Sequence, residues 1–287
     1  APILISIVDQ STDEDVSVQI TLSATDVDGD ILTFTADSDN ENIAVSVEGT
    51  VLMLTPADNY NGSSEISVTA NDGIVNSNTE TFILTVDSVN DAPVLMSIED
   101  QVTDEDVLVQ IALSATDVDE DTLSYSAVSN TENIAVSVTG SILTLTPADN
   151  YNGSSEISIT ANDGIVNSNT ETFILTVDSV NDAPVLMSIE DQVTDEDVLV
   201  QIALSATDVD EDTLSYSAVS NTENIAVSVT GSILTLTPAD NYNGSSEISI
   251  TANDGIVNSN AETFILTVAP VNDAPVALAD SSNVFED

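Results

Sequence analysis

Short runs of carboxylates recur along this chain with no basic side chain beside them. The first is Asp13-Glu14-Asp15 and the second is Asp26-Val27-Asp28-Gly29-Asp30. A third acid, Asp72, sits in Ala70-Asn71-Asp72-Gly73, and Asp58 follows Pro56-Ala57. The stretch Asp87-Ser88-Val89-Asn90-Asp91 completes the set. Like charges this close raise one another's pKa and cost stability unless a cation stands between them. An all-oxygen donor set, without His or Cys, suits a hard cation. Ca2+ takes six to eight oxygens at about 2.3–2.6 Å, whereas Mg2+ asks for a stricter octahedron with retained waters, so calcium is the better match. Taken singly, each run also reads as a solvated turn, because Asp and Asn favour turns.

Composition makes the cation more pressing. The 287 residues include 51 Asp and Glu and no Lys, Arg or His. Such a chain repels itself on compaction. High net charge with low hydrophobicity predicts disorder, but here hydrophobic residues reach 41% and mean hydropathy is +0.15, enough for a core. Whatever offsets the acids comes from solution. Nucleic acid is excluded as a partner because no cation meets a phosphate, and anionic membrane surfaces are disfavoured for the same reason. No apolar run approaches the roughly 18–20 residues of a membrane helix, so no membrane insertion is expected. Without Cys there are no disulfides, no thiol chemistry and no zinc–thiolate sites. The absence of Lys and Arg leaves no trypsin site. With no start Met and no signal-like segment, the chain reads as an interior piece of something longer.

The elements that must carry these acids repeat. Asn-Asp-Ala-Pro-Val begins at Asn90, Asn181 and Asn272, a period of 91 residues. Residues 92–182 and 183–273 differ only at Thr170/Ala261, Asp178/Ala269 and Ser179/Pro270. Residues 1–91 are a more diverged copy, and 274–287 begin a fourth, whose Phe285-Glu286-Asp287 echoes the earlier acidic run. A long repeat of this length can bury its own core, so each copy is expected to be a domain.

Within the first copy, Val16, Val18, Ile20, Leu22 and Ala24 alternate with polar residues, the pattern of one half-buried strand. Leu32–Ala36, Leu52 with Leu54, Ile66–Ala70 and Phe82–Val86 follow the same rule. With Ile3–Val8 and Ile43–Val47 they make about seven short strands, separated by Asp, Asn and Gly turns. No segment shows a helical stripe. The pattern calls for an all-β fold: tandem Greek-key sandwiches of the immunoglobulin-like kind, in a linear rod. Tyr60, ahead of the Ile66 strand, reads either as a tyrosine corner or as a half-buried packing residue. Asn61-Gly62-Ser63 is a glycosylation sequon that reads more simply as a turn.

Alternate loops of a sandwich emerge at opposite ends. The loops with Asp26 and Asp72 should therefore share the end that meets the incoming linker, and Glu14, Asp58 and Asp91 the other end. Stacked head to tail, two acidic ends meet around Asn-Asp-Ala-Pro. That makes the joint the metal site, and weakens the turn-only reading of the clusters taken together.

These residues resemble the bacterial cadherin-like repeats of about 95 residues found in large surface adhesins and exoproteins. The resemblance spans nearly the whole chain. It rests on Val89-Asn90-Asp91-Ala92-Pro93-Val94, Asp13-Glu14-Asp15, Asp26-Val27-Asp28-Gly29-Asp30, and Tyr60-Asn61-Gly62 followed by Ala70-Asn71-Asp72-Gly73. It implies a ligand set at each joint. At the first joint the upstream donors are Glu14, Asp58, Asp87, Asn90 and Asp91, and the downstream donors Asp117, Asp119 and Asp163. At the second they are Glu105, Asp149, Asp178, Asn181 and Asp182, with Asp208, Asp210 and Asp254. At the third, Glu196, Asp240, Asn272 and Asp273 remain, but Ala269 replaces the Asp. The first copy carries its own downstream half in Asp26, Asp28 and Asp72. The linker is one residue longer between its first Asp and the Asn-Asp pair than in animal cadherins. With no Trp, the strand-swapped Trp anchor of animal cell–cell cadherins has no counterpart.

Function follows as an expectation: a calcium-stabilised spacer or adhesion array, extracellular, on the cell surface or secreted as a fibre. Its partners would be neighbouring repeats of the same chain, other copies of it, or surface glycans. Calcium at a joint would cancel repulsion and lock the angle, and three units of strands rising about 3.3 Å per residue would span on the order of 10 nm. Catalysis is not expected. Paired carboxylates suffice for glycoside hydrolysis, but the same acids recur in every copy, which suits a spacer. The rival is a carbohydrate-binding array. Sugar sites favour exposed aromatics; aromatics are 3% here, and the candidates Tyr125 and Tyr216 align with Phe34 at a core position.

Overall fold

The computed structural model describes residues 1–274, and among them there is no helix, so none long and apolar enough to cross a membrane. The expected fourth copy at 274–287 lies, apart from its first residue, outside the described residues. The chain forms two compact units by its internal contacts. One holds residues 1–103, 107–147 and 154–176; the other holds 104–106, 148–153 and the chain from 177.

The first repeat shows the pattern that recurs. Its strands are β1 (Ile3–Leu4), β2 (Gln10–Asp13), β3 (Val18–Thr21), β4 (Ala24–Thr25), β5 (Thr33–Ser38), β6 (Ile43–Glu48), β7 (Val51–Pro56), β8 (Gly62–Asn71) and β9 (Glu80–Asp87). One sheet has the order β2-β9-β8-β5, the facing sheet the order β3-β7-β6, and β1 pairs with β4 alone. Strand β2 runs parallel to β9 from Gln10 opposite Leu84 to Asp13 opposite Asp87. The pairings of β8 with β9, β5 with β8, β3 with β7 and β6 with β7 are antiparallel. The other two repeats carry the same nine strands at the same spacing, which makes three sandwich units.

Alternation decides which residues face inward. Along β8, Ser64, Ile66, Val68 and Ala70 are buried while Glu65 between them is exposed. Leu52 and Leu54 on β7 and Leu84 on β9 are completely buried against Ile66, and these side chains form the centre of the core. The third repeat builds the same core from Leu234, Leu236, Ile248 and Leu266. Burying one such side chain stabilises by roughly 1.5–3 kcal/mol.

The strand count is nine where alternation suggests about seven. Two expected strands are each broken, because the chain changes sheets partway. Strand β1 stops at Leu4 and β2 starts at Gln10, leaving Val8 exposed. The carboxylate of Asp9 bridges the gap by accepting the Ile83 N–H at 2.8 Å, and Asp191 does the same for Ile265. Likewise the run from Val16 to Ala24 divides into β3, in the three-stranded sheet, and β4, on β1. Leu22 sits buried at the break, its N–H donating to the Thr50 carbonyl.

Tyr60 takes the packing role, since its hydroxyl makes no bond to the upstream backbone that a tyrosine corner requires. Its ring is half-buried against the core, and its hydroxyl accepts from Asn40 Nδ2 at 2.6 Å. Gly62 has φ +142°, and a Cβ there would lie 2.8 Å from that hydroxyl, so the close approach needs glycine. Tyr216, one of the two aromatics considered for sugar stacking, packs partly buried against the core of its own repeat, as Phe34 does in the first.

Candidate metal centre

The downstream half of each joint is two loops held by their own backbones. In the first repeat, Asp26 Oδ1 accepts the Asp28 N–H at 2.9 Å, and Asp72 Oδ1 accepts the N–H groups of Ile74 and Val75, both at 2.8 Å. The second repeat has Asp117 Oδ1 on the N–H groups of Asp119 and Asp121, at 3.0 and 3.2 Å. Asp163 Oδ1 takes Ile165 and Val166, both at 2.7 Å. In the third repeat Asp208 accepts from Asp210, and Asp254 from Ile256 and Val257.

One oxygen per carboxylate is thus engaged locally, which directs the other elsewhere. Oδ2 of Asp26, of Asp117 and of Asp208 is buried with no hydrogen-bond partner. A buried, unpaired carboxylate oxygen is costly. Around it, Asp117, Asp119 and Asp121 each offer an oxygen within 4.8 Å of the others, as do Asp208, Asp210 and Asp212, and Asp26, Asp28 and Asp30. Oxygens 2.3–2.6 Å from one Ca2+ stand at most about 5 Å apart, so these donors fit that ion in kind and in span.

The linker reaches the same loops. Asp91 N–H donates to Asp119 Oδ2 and Asn90 Nδ2 to Asp163 Oδ2, both at 2.8 Å. At the next joint Asp182 N–H donates to Asp210 Oδ2 at 2.8 Å and Asn181 to Asp254 Oδ2 at 2.9 Å. Burial follows this cover: Asp119 and Asp210 are half-buried where Asp28 is exposed. The carboxyls of Asp163 and Asp254 are held below their ordinary 3.8, first by the amides of Asn90 and Asn181. N–H groups of Val166 and Ile165, and of Val257 and Ile256, add to this, while burial works against it. Asp72 is also lowered, by Val75 and Ile74.

The upstream half is organised by a buried glutamate. Glu14, Glu105 and Glu196 are 5–7% exposed. Each accepts a linker N–H: Glu14 from Val89 and Glu105 from Val180 at 2.5 Å, Glu196 from Val271 at 2.6 Å. Their own N–H groups donate to the carbonyls of Asp87, Asp178 and Ala269. The third linker therefore keeps its backbone contact although Ala269 has lost the carboxylate. The loop of Asp58 lies alongside, since Asn59 N–H donates to Asp15 Oδ1 at 2.9 Å. Asn150 and Asn241 repeat this bond with Asp106 and Asp197.

Not every expected donor is drawn in. The side chains of Asp58, Asp149 and Asp240 and of Asp87 and Asp178 are exposed, as are Asn272 and Asp273. Conversely, a cavity at the first joint is lined by Asn59, Asn61 and Ser88 facing Asp119, Glu120 and Asp121. The neutral residues carry no charge signal, and the resemblance names only the first two Asp of each loop. Glu120 and Glu211 also sit at φ 61°, in the left-handed region where the first repeat has Gly29 at φ 77°. A side chain there is strained by roughly 1–2 kcal/mol.

A family model described as a bacterial Ig domain matches residues 1–85, 90–176 and 181–267. No curated protein matches the sequence. Among solved structures, protocadherin gamma B2 extracellular cadherin domains 1–5 are similar at 18% identity with a TM-score of 0.54, over 95% of this chain and 60% of that one. The human desmocollin-1 ectodomain is similar at 15% identity and a TM-score of 0.43, over 96% and 62%. The titin I-band fragment I67–I69 gives 11% and 0.33, over 94% and 99%. The chain spans about three fifths of the length of the two cadherin structures. The protocadherin likeness shows a cadherin-like sandwich fold.

Proposed function

The chain belongs to the bacterial Ig domain family, and on that footing we propose that its repeats form a calcium-stabilised extracellular array within a longer surface adhesin or secreted fibre. The role is spacing or adhesion, without catalysis. The observation that carries this reading is the buried, unpartnered Oδ2 of Asp117 and Asp208 beside linker contacts in a chain with no basic side chain. Asp117, Asp119, Asp121 and Asp163 would hold the ion at the first joint, and Asp208, Asp210, Asp212 and Asp254 at the second. The ion supplies the positive charge the chain lacks. Glu14 and Glu105 fix the linker backbone, while Asn90 and Asn181 tie it to the late loop of the next repeat. Extracellular fluid is where millimolar calcium is available to such oxygen sites, whose extracellular representatives bind at about 10⁻⁴–10⁻³ M.

Thermal unfolding of the whole chain with calcium and with chelator tests this. Each site that binds only the folded joint should add about 2.7 kcal/mol when calcium exceeds its Kd a hundredfold. Small-angle scattering on the same samples should show a narrower spread of dimensions with calcium. Identical melting and identical scattering in both buffers would remove the calcium part of this reading.

A further inference from the structure

The first repeat carries three acids that the second does not: Asp37, Asp39 and Glu48. The second has Val128, Asn130 and Thr139 in their places, and the third has Val219, Asn221 and Thr230. All three positions fall on one side of the sandwich, along β5, β6 and the connection between them. The second repeat has two acids that the first lacks, Glu99 and Glu120, and both stand elsewhere in the chain. The missing charge is therefore confined to one edge, where Glu132 and Glu223 are the acids that remain.

Folding does not account for the difference. Asp39 Oδ1 accepts the Ser64 hydroxyl and the Glu65 N–H, both at 2.9 Å. Asn130 Oδ1 accepts from Ser155 and Glu156, both at 3.1 Å, and Asn221 Oδ1 from Ser246 and Glu247 at 3.0 and 3.1 Å. The same two bonds are made, and only the charge is gone. Val128 and Val219 are 64% and 65% exposed, so core packing does not explain them either.

These positions flank an outer strand. In the third repeat the counterpart of β6, Ile225–Thr230, pairs with Ile233–Pro238 on one side only. Ala239 N–H donates to the Asn224 carbonyl at 2.8 Å, so the ladder bonds fall at Ala226, Ser228 and Thr230. Val227 and Val229 then turn their N–H and C=O groups to the open side. Such groups pair with any strand that approaches, and charged side chains on the edge strands prevent it. The first repeat has these guards in Asp37 and Glu48. The other two do not.

We propose that this edge of the second and third repeats is a self-association surface, where Ile134–Thr139 and Ile225–Thr230 pair antiparallel with the same edge of a second copy of this chain. The charge of the chain selects that occupant. A basic partner would lose attraction if these acids were absent, and a sugar would lose carboxylates able to accept from its hydroxyls. A second copy has no basic side chain to offer, so acids facing it only repel. Two N–H and two C=O groups on one strand also meet their complement in an antiparallel copy of it. The proposal adds a partner surface to the array reading and involves no residue of the joints.

Sedimentation of the full chain in calcium, from micromolar to millimolar concentration, reads the association. A reversible monomer–dimer shift is expected, stronger as salt rises, because screening weakens the remaining repulsion. Amide exchange at Val227 and Val229, and at Val136 and Val138 in the same register, should slow over the same concentrations. Val128→Asp, Thr139→Glu, Val219→Asp and Thr230→Glu together restore the guards. The first repeat carries these residues at the same places in the same fold, so melting should stay close to wild type. The dimer dissociation constant should rise about tenfold or more. A wild-type chain that stays monomeric at every salt concentration would overturn the proposal. So would equal association by the variant, or a dimer whose four valine amides exchange as fast as in the monomer. Binding of a monomeric wild type to dextran, lost in the variant, would give the edge to a neutral glycan and overturn it too. The amide measurement needs no variant to fold, and each adverse result leaves the calcium reading of the joints standing.

Discussion

Asn90 donates its side-chain amide to Asp163 Oδ2 at 2.8 Å across 73 positions of sequence, and Asn181 makes the matching bond to Asp254 at 2.9 Å. The bond ties the linker leaving one repeat to the loop after the longest strand of the next. It is also the first cause of the low pKa of each aspartate.

That coupling sets a pH dependence. The folded Asp163 carboxyl titrates below its ordinary 3.8, so in that interval the folded chain binds fewer protons than the unfolded one. The contribution is complete above the ordinary value and is lost as pH falls through the folded one. In chelator, the difference in melting temperature between wild type and Asn90→Ala should be constant above about pH 5 and shrink below pH 3.8. Taking the difference cancels the titration of the other carboxylates. A difference that grows on acidification would contradict the assignment.

Glu105 tests the buried half of a joint. It is 5% exposed and accepts the Val180 N–H. Glu105→Ala leaves that N–H without its acceptor and should cost about 1–3 kcal/mol. Glu105→Gln keeps an acceptor and should cost less in chelator. Equal losses for the two variants, measured by denaturant unfolding, would show that the hydrogen bond is not the source.

Glu120 should show opposed effects. Its left-handed backbone suits glycine, so Glu120→Gly should stabilise the metal-free chain by up to about 1–2 kcal/mol. It also takes a carboxylate from the cavity at the first joint. Calcium titration should therefore show weaker binding by the variant that is more stable without calcium. A gain in both would mean that the Glu120 carboxylate plays no part.

Gly62 and Tyr60 should couple. Gly62→Ala forces a Cβ toward the Tyr60 hydroxyl at a φ of +142° and should destabilise by more than about 1 kcal/mol. Tyr60→Phe removes the oxygen and loses the bond from Asn40. The double variant should cost less than the two singles together, because the clash is gone. Strict additivity would indicate that backbone strain alone accounts for the effect.

Strands β8 and β9 are readable from the chain because Ile66, Val68 and Ala70, and Phe82, Leu84 and Val86, each lie against one core along an unbroken element. The break between β3 and β4 is not, since Leu22 and Ala24 stay inward after the chain has changed partners, and the alternation runs on undisturbed. Asp9 gives no signal in advance either: an exposed acid in a loop looks like a turn until its bond to Ile83 is seen. At the joints, charge makes Asp117, Asp119 and Asp163 visible, and periodicity assigns them to one end. Asn59, Asn61 and Ser88 escape notice, being neutral and common in turns. The positive φ of Glu120 is likewise hidden by its neighbours, where one more acid among Asp119 and Asp121 draws no attention.

The Asp182–Asp210 bond copies the Asp91–Asp119 bond one period later, atom for atom. Each joint consults only the two copies that flank it. A gene that gains or loses one whole copy would therefore leave every surviving joint chemically intact, and the number of copies could change with no residue altered. An insertion of any other length would misplace the Asn-Asp pair and strand the acids it covers.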